Sequence, residues 1–263
     1  MPDVPRVRAI RQVVDRLGVP GALAYYGQSF RQQLVPPRHP FVLRSRRANF
    51  PLRSRPGTSD WDSFKQVFLS WEYAAVTVPP EPSWVIDCGA NVGYASAWFL
   101  SAFPSARLVA IEPDPDNYAC LVENLRPYGA RVRTIRGAIW SHDTTLALST
   151  EPYRDGRAWS RQVHPGGAGE KVAAVCLDSL LEEIGSPHAT LVKMDIEGTE
   201  TVLFQEHPEQ WLEQVSCLAI ELHRDSPFGD PTTAFEAAMR AAGFLWSESG
   251  EIMACRRRAG ATA

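Results

Sequence analysis

Lysine is almost absent from this chain of 263 residues. It occurs only at Lys65, Lys171 and Lys193, and the other 24 of the 27 basic residues are arginine. Eleven of those arginines lie in residues 1–55, where only two acids occur. The formal net charge is nevertheless −3, so no overall field attracts the chain to nucleic acid or to a membrane surface. We attribute the arginine bias to a GC-rich genome rather than to function.

Cysteine is scarce and scattered. The five cysteines form no CxxC pair and no Cys/His cluster, which argues against a disulfide framework and against a zinc site. No apolar run approaches membrane-spanning length, and no secretory signal is evident, so we expect a cytoplasmic protein without a membrane partner. With 44% apolar and 22% charged residues, the chain can bury the core of one sizeable α/β domain.

The most informative stretch is residues 84–93, Trp-Val-Ile-Asp-Cys-Gly-Ala-Asn-Val-Gly. An apolar run ends in Asp87, small residues follow, and an apolar helical pattern begins at Val92, which predicts strand, tight turn and helix. Gly89 and Gly93 let the backbone approach a ligand where a Cβ would collide, and the first N–H groups of the helix can hold a carboxylate. Because open α/β sheets bind ligands at this edge, we expect Asp87 to accept from a cationic or hydroxyl group of a ligand.

The glycine spacing separates two kinds of cofactor. The dinucleotide fingerprint is Gly-x-Gly-x-x-Gly, and its middle glycine is missing here because position 91 is Asn91. A second predicted strand, 107–112, ends in Glu112, 25 residues after Asp87, where an acid can accept from two ribose hydroxyls. The two features predict a pocket for an amino acid joined to a nucleoside, which is S-adenosylmethionine. An NAD-linked oxidoreductase and an ordinary βα turn with a helix cap are the alternatives.

A polar turn over residues 53–60 precedes a helix predicted over 61–73, whose aromatic residues recur at helical spacing. Asp60 is placed to cap that helix, since aspartate favours the N-cap position. We also count Asp60 among the predicted cofactor-binding residues, because the polar residues of this turn can lie over the cofactor.

A third predicted strand, 131–136, ends where adenine lies in a doubly wound sheet. Gly137 and Ala138 leave room for a flat ring, and Ile139 or Trp140 can pack on its face. A plain tight turn with Trp140 in the core is the alternative.

Two further apolar strands bring acids to the same sheet edge. One leads into Asp195 and Glu197, and the other delivers Glu221 and His223. Side chains two apart in a strand share a side, so each pair is expected to face the same way. We expect these neighbouring strand ends to face the transferred methyl group.

The remaining segments carry less information. We expect residues 1–52 to form a helical arm that covers the sheet, joins a homodimer, closes as a lid or docks an acidic partner through Arg44, Arg46 and Arg47. Residues 53–255 are expected to form the S-adenosylmethionine-dependent domain. Paired short strands flank a loop, 151–171, that is expected to contribute to the acceptor pocket. Residues 256–263 are predicted to be a frayed tail.

The motifs together resemble the FkbM-type methyltransferases, a branch of the class I S-adenosylmethionine-dependent enzymes. The resemblance covers residues 53 to about 225, and its most specific motif is Asp-Ile-Glu-Gly-x-Glu. The matching motifs are, in chain order, Arg-Pro-Gly-Thr-Ser-Asp, Val-Ile-Asp-Cys-Gly-Ala-Asn-Val-Gly-Tyr, Ala-Ile-Glu-Pro-Asp-Pro-Asp-Asn, Gly-Ala-Ile, Leu-Asp-Ser-Leu, Val-Lys-Met-Asp-Ile-Glu-Gly-Thr-Glu and Ile-Glu-Leu-His.

The resemblance implies an α/β, Rossmann-like, doubly wound sheet of seven strands. It implies that Glu112 holds the ribose of S-adenosylmethionine and that Ala138 borders the adenine. The residues implied around the methionine end are Asp87, Gly89, Asn91 and Gly93. The family largely methylates hydroxyl groups of sugars and secondary metabolites, so a small-molecule or glycoside acceptor is expected.

A sugar hydroxyl is a poor nucleophile, so a base is expected. Asp195 and His223 are the candidates, and the unperturbed pKa of histidine, near ~6.5, is the better match. Glu197 and Glu221 are expected to orient the acceptor. Alternatively, Asp195, Glu197 and Glu221 hold a divalent cation such as Mg²⁺ that lowers the pKa of the hydroxyl. An amine or carboxyl acceptor, and a non-catalytic cofactor-binding protein, are the other readings of the same motifs.

Overall fold

The computed structural model describes residues 5–34, 39–76, 81–149, 161–185 and 190–258. Residues 151–160 of the predicted acceptor loop, and the last five residues of the predicted tail, lie outside the described residues. No helix in the described ranges combines the length and the apolar character that crossing a membrane requires.

The chain alternates strands and helices from residue 84 to residue 135, and it departs from this alternation over residues 144–175, both as the sequence predicts. The strands are β1 (Phe41–Leu43), β2 (Leu52–Ser54), β3 (Trp84–Cys88), β4 (Arg107–Ile111), β5 (Val132–Ile135), β6 (Ala138–Trp140), β7 (Thr145–Leu148), β8 (Val163–Pro165), β9 (Lys171–Cys176), β10 (Thr190–Met194), β11 (Cys217–Glu221), β12 (Phe244–Ser249) and β13 (Ile252–Arg257). The α-helices are α1 (Pro5–Leu34), α2 (Asp60–Phe64), α3 (Tyr94–Ala102), α4 (Pro115–Leu125), α5 (Leu177–Ile184), α6 (Glu200–Gln205), α7 (Pro208–Leu212) and α8 (Thr232–Ala241).

Seven of these strands form the main sheet, in the order β12-β13-β11-β10-β3-β4-β5. The five strands from β11 to β5 in that order run parallel. β13 is antiparallel to β11, and β12, which is antiparallel to β13, runs in the same direction as the five. The order reverses between β3 and β10, so the loops that follow these two strands lie side by side at the edge where ligands bind. The predicted doubly wound seven-stranded sheet is confirmed.

Both faces of the sheet are covered, which explains the continuous apolar runs of its strands. Within β10, Leu191 packs into a core shared with α1 to α4, whereas Val192 packs into a second core shared with α5 to α8. Neighbouring residues of one strand therefore both need to be apolar.

A second, four-stranded sheet follows β5 in the order β6-β9-β7-β8. The predicted pairing of the two short strands is confirmed, since β7 and β9 are antiparallel neighbours. The third strand of the main sheet ends at Ile135, and the chain turns at Gly137 to enter the smaller sheet. A Cβ at Gly137 would lie 2.6 Å from a methyl carbon of Val175, so only glycine fits this junction of the two sheets.

The aromatic helix predicted over 61–73 is α-helical only at its start. A π-helix follows over Lys65–Ser70, and Trp71 has a left-handed backbone with φ of 58° that ends it. The guanidinium of Arg16 stacks on the Trp71 ring at 3.5 Å, and Arg47 lies 4.8 Å from the same ring. The short 3-10 helix Glu72–Ala75 comes next, and this rearrangement brings Glu72 to the cavity described below.

The N-terminal arm shares the core of the rest of the chain. α1 is kinked at Gly18, which has φ of 77°, and Leu17 and Leu52 pack in the same core as Phe64. The predicted boundary between residues 52 and 53 falls inside β2. No described residue before position 53 lines the cavity, and the lid interpretation of the arm stays a prediction.

The frayed-tail prediction is wrong for Arg256 and Arg257, because both are paired in β13. The guanidinium of Arg257 also donates to the main-chain oxygens of Leu212, Val215 and Ala242.

Candidate active site

A cavity of about 280 Å³ opens at the carboxyl ends of β3, β4, β10 and β11. Seven predicted site residues line it: Gly89, Asn91, Glu112, Ala138, Asp195, Glu197 and Glu221. Four others do not line it: Asp60, Asp87, Gly93 and His223. The sheet edge thus brings most of the predicted site residues together. The four exceptions contact other residues of the protein instead of facing the cavity.

The loop after β3 is wound tightly and then opens α3. Gly89, Asn91 and Gly93 all have left-handed backbones, with φ of 73°, 49° and 84°. A Cβ on Gly89 would lie 1.8 Å from the main-chain oxygen of Asp195, and one on Gly93 would lie 2.9 Å from Leu121. The backbone conformation and contacts within the protein therefore already favour glycine at both positions. The expectation that these glycines also let the backbone approach a ligand stays a prediction.

Glu112, which directly follows β4, is 4% exposed and faces the cavity. Its carboxylate accepts hydrogen bonds from the main-chain N–H groups of Asn91, at 2.8 Å, and Asp114, at 3.0 Å. Burial raises the pKa of Glu112 to about 7, although these hydrogen bonds oppose the shift. Hydroxyl donors from a ligand would add to the acceptor capacity that remains on this carboxylate.

Asp87 is fully buried and lies one layer behind the cavity wall. It accepts a hydrogen bond from the Ser96 hydroxyl at 2.6 Å, and its other oxygen lies 3.2 Å from Nζ of Lys193. The prediction that Asp87 contacts the ligand directly is wrong, because Lys193 lies across the ladder from it and takes that place.

Asp60 is also turned away from the cavity. Its carboxylate is 0% exposed and accepts from Nε and Nη2 of Arg55, at 3.0 and 2.8 Å. Arg55 also donates to Asn117, whose amide nitrogen lies 3.5 Å from Glu112. Asp60 is not the N-cap, which is Ser59, and it does not line the cavity. Its contacts connect it to Glu112 through Arg55 and Asn117, and its assignment to the cofactor stays a prediction.

The predicted adenine end is lined by Gly137, Ala138 and Ile139. Trp140 does not line the cavity and instead packs edge-on against Phe228, so the alternative reading of Trp140 as a core aromatic is correct. Arg161, beyond the undescribed part of the acceptor loop, also lines the cavity.

The opposite end of the cavity is strongly acidic. Asp195, Glu197 and Glu221 line it as predicted, and Glu72 and Glu251 join them. Burial and the neighbouring charge of Asp195 raise the pKa of Glu221 to about 8 and that of Glu72 to about 7. Sequence reasoning missed Glu72 and Glu251. Glu72 reaches the cavity because the predicted helix changes to a 3-10 helix at this residue, and Glu251 lies on the turn between β12 and β13.

His223 lies behind these acids and is 1% exposed. Its Nδ1 is 2.8 Å from Glu200, and its Nε2 faces Asp195, Glu197 and Glu221 at 3.8, 3.5 and 3.5 Å. Burial opposes its charge, but the hydrogen bond to Glu200 and the surrounding carboxylates outweigh burial and raise the pKa of His223 to about 9. The raised pKa favours the imidazolium form of His223 and does not suit the role of a base, which stays a prediction.

Asp195, Glu197 and His223 also meet the distance requirement for a metal site. One donor atom from each lies within 4.8 Å of the others. The Nδ1 contact to Glu200 matches the carboxylate that often orients a metal-bound histidine through the ring nitrogen that does not bind the metal. These residues can hold either a shared proton or a divalent cation.

Comparison with known proteins identifies the family. The family model described as Methyltransferase FkbM domain matches residues 87–246. Methyltransferase sdnD of Sordaria araneosa is 25% identical over 189 residues, which cover 60% of this chain and 73% of that protein. Methyltransferase 1 of Beauveria bassiana (strain ARSEF 2860) is 22% identical over 178 residues, which cover 60% of this chain and 71% of that protein.

A solved structure of a methyltransferase from Geobacter sulfurreducens is similar with a TM-score of 0.39 and 19% identity, covering 68% of this chain and 73% of that one. The fold assignment rests on the strand order of the main sheet rather than on that likeness. The family match spans more than half of the chain, from Asp87 to Trp246, and contains most of the cavity. The chain belongs to the FkbM methyltransferase family.

Proposed function

We propose that this protein transfers a methyl group from S-adenosylmethionine to a hydroxyl group of a small molecule, a sugar or a secondary metabolite. The observation that carries the proposal is a single cavity that joins Glu112 and Ala138 at one end to the acids Asp195 and Glu221 at the other. A cofactor and an acceptor would meet between these two ends. The family and the fold both imply S-adenosylmethionine as the cofactor.

The residues of the cavity fit that cofactor. The Oδ1 atom of Asn91 is buried and accepts no hydrogen bond from the described protein, so it offers an acceptor to the ammonium group of a methionine end. Glu112 offers a carboxylate to ribose hydroxyls, and Gly137 and Ala138 border the space for a flat ring. When bound, S-adenosylmethionine supplies an activated methyl group.

The acidic end provides the base that a hydroxyl acceptor needs. Asp195 and Glu221 reach the cavity, whereas His223 lies behind them and holds its proton. A base works best when its pKa lies near the working pH, and the pKa of Glu221, about 8, meets that condition. In this proposal Glu221 takes the hydroxyl proton, and Asp195 and Glu197 orient the acceptor. The imidazolium of His223 keeps the carboxylates close together despite their mutual repulsion.

A divalent cation is the second candidate for activating the hydroxyl. It would be held by Asp195, Glu197 and His223, which satisfy the spacing of a metal site. A cation such as Mg²⁺ would lower the pKa of a hydroxyl bound to it, so a protein base would matter less.

Calorimetric titration with S-adenosylhomocysteine, in parallel with NAD, tests the cofactor. We expect micromolar binding of S-adenosylhomocysteine and none of NAD. Glu112→Ala should abolish that binding, whereas Glu183→Ala, which changes an exposed acid that pairs with Arg133, should leave it unchanged. Failure of the wild type to bind S-adenosylhomocysteine would refute the proposal.

The acceptor class is tested with S-adenosylmethionine labelled in the methyl group and a panel of sugars, phenols, amines and carboxylic acids. Methylation of hydroxyl compounds alone, lost in Glu221→Gln with cofactor affinity retained, is the expected result. Transfer to amines or carboxylates would replace the hydroxyl assignment, and cofactor binding without transfer to any class would favour a non-catalytic role. Activity that EDTA abolishes and Mg²⁺ restores would favour the cation over Glu221.

A further inference from the structure

Lys193 is a lysine in an unusual place. It lies in the fully buried strand β10 and is itself 2% exposed. The other two lysines are at the surface, where Lys65 pairs with Asp62 and Lys171 donates to a main-chain oxygen. A charge inside the sheet is tolerated only when it is paired and hydrogen-bonded, so the surroundings of Lys193 must supply partners.

Four oxygen atoms surround the ammonium group of Lys193. Its Nζ donates to the main-chain oxygens of Gly89, at 2.6 Å, and Cys88, at 3.4 Å. It also lies 3.2 Å from the carboxylate of Asp87 and 3.7 Å from that of Asp195. An ammonium has three N–H donors. The two main-chain oxygens accept from two of them, and the two carboxylates supply the opposite charge that a buried ammonium needs.

The surroundings of Lys193 favour a structural role over a role as a nucleophile. Its Nζ is enclosed by two main-chain oxygens and lies close to two carboxylates, and all four belong to the loops that follow β3 and β10 or to the strand ends before them. Its contribution therefore comes from holding these groups in place.

The groups that it holds belong to the two halves of the cavity. Gly89 begins the loop that carries Asn91, and Asp195 begins the acidic end. The two loops touch at this point, because a Cβ on Gly89 would lie 1.8 Å from the main-chain oxygen of Asp195. We propose that Lys193 is a positioning residue that ties the cofactor loop at Gly89 to the acidic end at Asp195. This inference rests on the proposed function of the same cavity.

The chemistry of lysine explains its retention here in a chain that uses arginine almost everywhere else. A compact ammonium can sit among oxygens that approach from several directions, whereas a guanidinium is a planar fork suited to one bidentate partner. Arg55 shows the second case, since it binds both oxygens of Asp60. Lys193→Arg is therefore expected to keep the positive charge but to lose the contacts that tie the loop at Gly89 to Asp195.

A double-mutant cycle separates positioning from simple charge pairing. The variants are Lys193→Met, Asp87→Asn and the double variant, each measured by urea unfolding, by titration with S-adenosylhomocysteine and by amide hydrogen exchange without ligand. Lys193→Met leaves Asp87 buried without its cation and should be destabilised. The double variant removes both charges and should recover most of that stability.

If Lys193 is a positioning residue, the double variant should recover stability without recovering ligand affinity. The double variant should bind S-adenosylhomocysteine between about 10- and 100-fold more weakly than Asp87→Asn, because small misplacements in a preorganised site have effects of that size. Its exchange should be faster over residues 89–93 and 195–199 and unchanged in α8. Lys193→Arg, which keeps the charge, should show the same faster exchange.

Equal affinity and equal exchange in the double variant and Asp87→Asn would overturn the inference, since Lys193 would then only neutralise Asp87. If the double variant fails to fold, Lys193→Arg decides alone, and wild-type exchange in that variant overturns the inference. The exchange measurement needs no ligand. A wild type that does not bind S-adenosylhomocysteine would therefore refute the proposed function, and hydrogen exchange would still test the positioning role of Lys193.

Discussion

Replacing Glu112 by glutamine should separate ligand binding from stability. The change keeps the shape of a side chain that is 4% exposed and removes its charge. It also removes an acceptor, since an amide oxygen can replace only one of the two carboxylate oxygens that accept from Asn91 and Asp114. Binding and folding respond to these losses differently.

For folding, the two effects nearly cancel. Burial raises the pKa of Glu112 from 4.5 to about 7, and at ~1.4 kcal/mol per pKa unit the buried charge costs about 3 kcal/mol above pH 7. Losing one hydrogen bond to a main-chain N–H costs about 1–3 kcal/mol. We therefore expect the free energies of unfolding of Glu112→Gln and wild type at pH 8 to agree within about 2 kcal/mol.

For binding, nothing compensates. A hydrogen bond to a charged group contributes about 1.5–3 kcal/mol, so Glu112→Gln should bind S-adenosylhomocysteine roughly 10- to 150-fold more weakly at pH 8. The measurement is calorimetric titration, with Glu183→Gln as the control for the same substitution at an exposed site. Wild-type affinity in Glu112→Gln would refute the assignment of Glu112 to the ribose.

The pH dependence of the free energy of unfolding tests the direction in which folding shifts the pKa of Glu112. The folded-state pKa of Glu112 lies above its unfolded value, so its contribution to stability is complete below pH 4.5 and is lost as the pH rises through about 7. Between these limits the wild type should lose stability relative to Glu112→Gln. Urea unfolding at pH 5 and pH 8 measures the difference, and a difference that does not change with pH would contradict the argument.

Three further outcomes are expected. Gly89→Ala and Gly57→Ala both place alanine at a left-handed backbone, which costs about 1–2 kcal/mol. Of these two variants, Gly89→Ala also overlaps a main-chain oxygen, so its unfolding midpoint in urea should be clearly lower than that of Gly57→Ala. Equal midpoints would contradict the structure. His223→Gln should cost about 3 kcal/mol below pH 6.5, where the imidazolium contributes fully, and progressively less as the pH rises through about 9; a loss that is constant with pH would exclude that role. Leu23 and Phe30 of α1 are 70% and 62% exposed, and such exposed apolar residues can form an interface. If the homodimer prediction is right, sedimentation should show a dimer that the combined substitutions Leu23→Ser and Phe30→Ser convert to a monomer. A monomeric wild type would contradict the prediction.

The sequence alone was enough to predict the family, the seven-stranded sheet and the cavity-lining acid Glu112. Each follows from a local pattern: apolar runs of strand length, turn residues between them, and an acid where a strand ends. Parallel strands in a doubly wound sheet bring their carboxyl ends together. Acids far apart in the chain, such as Asp195 and Glu221, could therefore be assigned to one site without coordinates.

Partners of charged side chains could not be predicted in the same way. Asp87, Asp60 and His223 were all expected to serve the ligand or the reaction, and the structure pairs them with Lys193, Arg55 and Glu200. Lysine scarcity was the one signal that could have pointed to Lys193, because a lysine inside an apolar strand of an arginine-rich chain needs an explanation.

One physical reason explains why the fold could be predicted from the sequence and the partners of the charged side chains could not. Strand and turn preferences depend on neighbours within a few positions, so they can be read from the order of residues. The pKa of Glu221 and the protonation of His223 depend on which oxygens lie within about 4 Å, and those oxygens come from distant parts of the chain. Only the packed tertiary structure decides which carboxylates can accept a proton and which charges are already neutralised.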